Sequence, residues 1–206
     1  MDLTSILMQS LGDNGIEQMG RQAGMNPNQT SAAMTAVVPM LLGAMAKNSS
    51  SPEGANGLLG ALDTDHDGSI LDDLGSFLGG SMMNSRSANG SGILKHILGG
   101  NQPTVETGLA DKLGVDSQSI GKLMTMVAPL IMAYLGKQKR SAGNTGFDAG
   151  GLGGLLGNLA GGSRQSGGID IGDIMDMVGG MSGSTQRAGK SGGGLLGGLL
   201  KGFLRK

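Results

Sequence analysis

The chain has 206 residues, 42 of them glycine, roughly three times ordinary usage, and a formal net charge of −1. With no cysteine, no tryptophan, one tyrosine, three phenylalanines and two histidines, the composition excludes disulfides, thiolate nucleophiles, iron–sulfur clusters, His-rich metal centres and aromatic platforms for bases or sugars. The charge balance provides no overall field for nucleic acid or an anionic membrane.

Met1-Asp2-Leu3-Thr4 lacks the basic start and apolar run of a secretory signal, so a cytoplasmic location is expected. The longest apolar stretch, 123–135, carries Pro129 and is too short to span a bilayer. Fifteen methionines replace the missing aromatics and suit an irregular helical core or a tolerant binding surface.

Residues 1–47 read as a first helical unit: a short helix, a tight turn at Gly24 and a long helix over about 27–46. Asn26 is placed to cap it, Pro27 suits its first position and Gln29 completes a capping box. Pro39 removes one backbone hydrogen bond and predicts a kink.

Residues 48–100 read as a Gly/Ser-rich connector bearing short amphipathic helices and one acidic loop over 63–74. Asp63-Thr64-Asp65-His66-Asp67-Gly68-Ser69-Ile70 resembles the first eight positions of an EF-hand calcium loop. Alternate carboxylates converge on one hard cation, Gly68 allows the sharp turn and the Ser69 carbonyl supplies the next ligand. The usual closing acid is replaced by Leu74, leaving Asp73 to close a site formed with Asp63, Asp65, Asp67 and Ser69. The alternative is a plain Asp-Gly turn with Ser69 as the following N-cap and Asp72 three residues later. Five aspartates in so short a span need a cation nearby if the loop is ordered.

A small pattern then recurs: two apolar residues, two others, two apolar residues, often Gly-Gly. It occurs at Ile93-Leu94/Ile97-Leu98, Leu155-Leu156/Leu159-Ala160 and Leu195-Leu196/Leu199-Leu200, and more loosely at Leu58-Leu59/Leu62 and around Ile174-Met175. The spacing places these side chains on one face of a helix too short to stand alone, so each needs something to dock on. The Gly/Ser/Asn stretches between them, such as 81–91 and 141–151, are expected to be mobile.

Residues 101–138 read as a second helical unit, with a long helix over about 117–137. Shifting the sequence by 90 residues aligns Gly24 with Gly114, Met34 with Met124, Thr35 with Thr125, Val37 with Val127, Pro39 with Pro129 and Lys47 with Lys137, without a gap. The expected fold is therefore all-α, two pseudo-repeats of short helix, Gly turn and Pro-kinked long helix, joined by Gly-rich linkers. Leu109 to Lys122 also reads like a helix-turn-helix, but Lys112 and Lys122 face Asp111 and Asp116, too little positive charge for specific nucleic-acid binding.

Leu109-Ala-Asp-Lys-Leu113-Gly114-Val115-Asp116, followed by a long helix with Ala128-Pro129-Leu130-Ile131, resembles the bacterial YidB-like family, domain of unknown function 937. That resemblance implies an all-helical fold of pseudo-repeats and hands over no activity and no catalytic residues.

Residues 139–206 read as a Gly-rich region with short Leu-rich helices. Its end, with Leu195, Leu196, Leu199, Leu200, Lys201, Phe203, Arg205 and Lys206, suits a basic amphipathic contact with a partner or an anionic membrane. No Ser/His/acid spacing, phosphate-loop lysine or strand-borne Gly motif supports catalysis, and no small-molecule substrate is evident. The sequence thus points to a non-enzymatic interaction or structural module with one calcium loop, binding a protein partner or itself. The alternative is a peripheral membrane protein acting through its tail.

Overall fold

A computed structural model describes residues 2–64, 68–82, 85–142 and 149–161, and among them there is no β-strand. Among the described residues nine α-helices follow in chain order: α1 (Leu3–Ala23), α2 (Pro27–Asn48), α3 (Pro52–Thr64), α4 (Ser69–Asp72), α5 (Leu74–Leu78), α6 (Gly90–Leu98), α7 (Gln102–Leu113), α8 (Ser117–Ala142) and α9 (Ala149–Gly161). The all-α expectation holds over these residues.

The two long helices start where cap chemistry places them. Asn26 Oδ1 accepts the Gln29 amide and Gln29 Oε1 accepts the Asn26 amide, a closed capping box in front of Pro27. Asp116 Oδ1 accepts the Gln118 amide at 2.7 Å ahead of α8. Each long helix is preceded by a glycine in the left-handed region, Gly24 at φ 81° and Gly114 at φ 64°. The chain reverses there by one bond type, Met25 N–H to Gly20 O and Val115 N–H to Ala110 O. Thr35 and Thr125 each donate their hydroxyl to the carbonyl four residues back.

Helical backbone continues through both prolines. The interruption lies in α1, where Gly12 adopts φ 61° and ψ −179°. Pro129 has no N–H, so the Thr125 carbonyl loses its helical donor. Gly90, the first residue of α6, lies directly against that carbonyl, and a Cβ there would overlap it. The proline thus opens a patch of bare backbone on which a glycine-led helix seats.

The core lies where α1, α2 and α8 meet. Leu3, Leu7, Met19, Met34, Val37, Leu41, Met45, Ile120, Met124, Val127, Ile131 and Leu135 are all buried in it. The methionines fill an irregular interhelical space that lacks large aromatics. By length and composition α2 and α8 could each cross a membrane, contrary to the expectation that no apolar stretch is long enough. In this fold the most apolar window of α8 is 78% buried inside the protein and that of α2 is 50% buried, the places of core helices.

Residues 48–100 contribute to the same core rather than running outside it. Leu58 and Leu62 of α3, Ile70 of α4, Phe77 and Leu78 of α5, and Leu94 and Leu98 of α6 are buried. Gln18 and Gln22 of α1 both donate their side-chain amides to the Leu78 carbonyl, at 3.0 and 2.8 Å. Within 81–91, expected to be mobile, Ser85 caps a 3-10 turn over Arg86–Ala88 and Asn89 caps α6 through the Gly92 amide.

Candidate functional site

Two features can carry function: the acidic loop with the helix end it packs on, and the leucine-pair helices with their docking surfaces. In the loop, Gly68 takes φ 89° and lies against the outer side of α8. A Cβ there would stand 3.0 Å from Arg140 Nη2, 3.1 Å from the Ala133 carbonyl and 3.2 Å from Lys137 Cβ. Glycine is required both by the left-handed backbone and by this close approach.

Two of the aspartates around it, Asp63 and Asp72, meet cations of the protein itself. Lys139 Nζ lies 2.6 Å from Asp63 Oδ1, and Lys137 Nζ lies 3.0 Å from Asp72 Oδ1. Lys139 is the better enclosed, with its side chain 20% exposed. Both lysines sit in the last turns of α8, where positive charge also complements the helix dipole. For Asp63 and Asp72, α8 supplies the cation whose need is legible in the sequence.

Asp73 is differently engaged. Its Oδ1 accepts the Ser76 amide at 3.0 Å and caps α5, and hydrogen bonding to Ser76 holds its carboxyl below the ordinary aspartate pKa. Ser69 is exposed at the first position of α4; the N-cap of that helix is Gly68, not Ser69. Asp65, Asp67 and His66 lie outside the described residues. Of the five expected calcium ligands, Asp63 and Asp73 therefore each hold another partner through Oδ1, so a bound ion would share or compete for the first with Lys139 and the second with the Ser76 amide. Among the described residues no group of three or more His, Asp or Glu is arranged to hold a metal.

The leucine-pair helices dock on the long helices. α6 packs on α8 through Leu94 and Leu98, α3 also packs on α8, and α9 packs on α2 and α3 through Leu152 and Leu156, both 0% exposed. Between α3 and α6 runs an open groove of about 560 Å³, with Leu58, Ile93, Ile97 and Met132 as its apolar lining and Arg86 and His96 among its polar residues. Sequence reasoning did not single out this groove, because it needs the spatial pairing of two helices far apart in the chain. The expected contact residues Leu195, Leu196, Leu199, Leu200, Lys201, Phe203, Arg205 and Lys206 lie outside the described residues.

A family model described as a bacterial protein of unknown function (DUF937) matches residues 5–138, well over half of the chain. The chain belongs to this family. The match runs from the start of α1 to the last turns of α8, so a DUF937 unit includes the acidic loop and the α3–α6 groove. α9, beyond residue 138, lies outside the match but packs on its α2 and α3. No curated protein and no solved structure matches the chain.

Proposed function

We propose that this DUF937 chain is a non-enzymatic, cytoplasmic interaction or structural module built from two copies of one helical hairpin, α1–α2 and α7–α8. The carrying observation is the docking of α3, α6 and α9, each too short and glycine-rich to be stable alone, on two long helices through buried leucines. Such a surface recognises short apolar helices, whether from a protein partner or from the chain itself. The matching turns at Gly24 and Gly114 and the matching Thr35 and Thr125 bonds support the two-copy reading.

The acidic loop serves as a clip whose cation is exchangeable. Lys139 neutralises Asp63 within the protein, and calcium, drawing on Asp63, Asp65, Asp67, the Ser69 carbonyl and Asp73, competes for the same carboxylates. Calorimetric titration of chelator-stripped protein tests this. The expected result is about one ion per chain at the weak, millimolar end of calcium-loop affinities, tightened at least tenfold by Lys139→Met and abolished by Asp65→Ala. Absence of heat in both the parent and Lys139→Met would remove calcium and leave a lysine-held turn.

A further inference from the structure

The groove filled by α9 has a second ligand written into the same chain. α9 enters it with Leu152-Gly153-Gly154-Leu155-Leu156, burying Leu152 and Leu156 completely, while Leu155 and Leu159 are half-buried beside them. The pentapeptide Leu-Gly-Gly-Leu-Leu recurs as Leu196-Gly197-Gly198-Leu199-Leu200, followed at the Leu159 position by the apolar Phe203. In a helical register Leu196 and Leu200 reproduce the i, i+4 pair of Leu152 and Leu156.

We propose that the α2–α3 groove is a docking site for this motif and that residues 196–204 exchange with α9 for it. The inference rests on the interaction-module reading and names the partner. What distinguishes the two occupants is charge. α9 carries no ionisable side chain, whereas the terminal motif runs into Lys201, Arg205 and Lys206. Of the groove's walls, α3 carries Glu53 and Asp63, with Asp63 already paired to Lys139, and α2 carries Lys47 near its end, so the complementary charge offered to the terminal motif rests on Glu53, where α9 gains none. Exchange converts a neutral face of the molecule into a basic one and releases α9.

Hydrogen exchange on the full chain reads the competition. Replacing Leu196→Asp and Leu200→Asp should slow amide exchange in 152–159 severalfold, because the competitor is gone. Adding a free 194–206 peptide in excess should restore the faster rate. Exchange in 152–159 that responds to neither change overturns the proposal.

A second experiment uses full-length protein carrying Leu152→Asp, Leu156→Asp, Leu196→Asp and Leu200→Asp, checked for retained helicity, with the milder four-alanine variant alongside. Labelled 194–206 peptide should bind it at least tenfold more tightly than it binds the parent, and a peptide with both aspartates should not bind. If a 149–161 peptide binds and the 194–206 peptide does not, the groove and the module reading stand and the exchange is overturned. If neither binds, both fall. A 194–206 peptide that partitions only into anionic vesicles assigns the tail to a lipid surface and likewise overturns the exchange.

Discussion

Glycine substitutions separate the residues that shape this molecule from those that merely populate it. Gly90 lies against the Thr125 carbonyl with no room for a Cβ, whereas a Cβ on Gly60 of α3 would meet nothing within 4 Å. Gly90→Ala must push α6 off α8 and should lower stability by about 1–3 kcal/mol, as overpacking does. Gly60→Ala should leave stability unchanged or raise it by up to about 1 kcal/mol through helix propensity. Urea midpoints of the two variants at equal m-value check the contrast. Gly24, Gly68 and Gly114 were legible in the sequence because turn chemistry is local. Gly90 was not, since its constraint comes from a carbonyl 35 residues away that Pro129 strips of its donor.

Helix ends were the part of the fold most readable from the chain, and they also set its acid response. Asp2 caps α1, accepting the Ser5 amide at 2.9 Å and the Ser5 hydroxyl at 3.1 Å, and hydrogen bonding to that amide lowers its pKa. Asp73 caps α5 in the same sense. Both folded-state pKa values lie below the unfolded ones. Their contribution is therefore complete above the ordinary aspartate pKa and is lost as pH falls through the lowered folded values. Asp2→Ala should cost about 1 kcal/mol at neutral pH, and the difference from the parent should vanish in strong acid, as pH-dependent thermal melts would show. Pro39 and Pro129, read as kinks, lie inside continuous helical backbone, and an interruption that the sequence did not announce falls at Gly12, which only its φ of 61° reveals.

At the same scale, the acidic loop shows why half a site can be read and half cannot. Five aspartates announce a need for positive charge, but the sequence does not say that Lys137 and Lys139 come round on α8 to supply it. Lys137–Asp72 is an exposed pair and Lys139–Asp63 opens to solvent on its Asp63 side, so each is worth about 0–1 kcal/mol. Raising salt should therefore loosen the 63–73 segment without unfolding the protein. Amide exchange of Ile70 and Leu71 that rises from low to 1 M salt, while that of α8 residues such as Val127 stays fixed, is the expected result.

For the whole molecule, the question is whether everything described unfolds as one unit, and α9 gives the sharpest test. Its interior carries Gly153, Gly154 and Gly157, each about 1 kcal/mol less favourable than alanine in a helix, and its end turns carry Gly150, Gly151 and Gly161. Against that, burying Leu152 and Leu156 contributes about 1.5–3 kcal/mol each. The balance leaves α9 docked by a small margin, through two leucines at the edge of a core that α1, α2 and α8 otherwise dominate. A helix held that weakly sets a ceiling on what its own mutations can cost, because once undocked it has nothing more to lose. Leu156→Ala alone should already approach that ceiling, at about 1–2 kcal/mol, below the 2–5 kcal/mol of a core leucine truncation. Adding Leu152→Ala should therefore cost much less than its single-variant value, a sub-additivity expected of residues that act through one local equilibrium. Leu41→Ala, fully buried in α2 at the centre of the core, should show the full loss and add to either. If instead the two α9 variants are additive and each costs as much as Leu41→Ala, α9 unfolds only with the whole molecule, and no occupant could replace it without unfolding the chain.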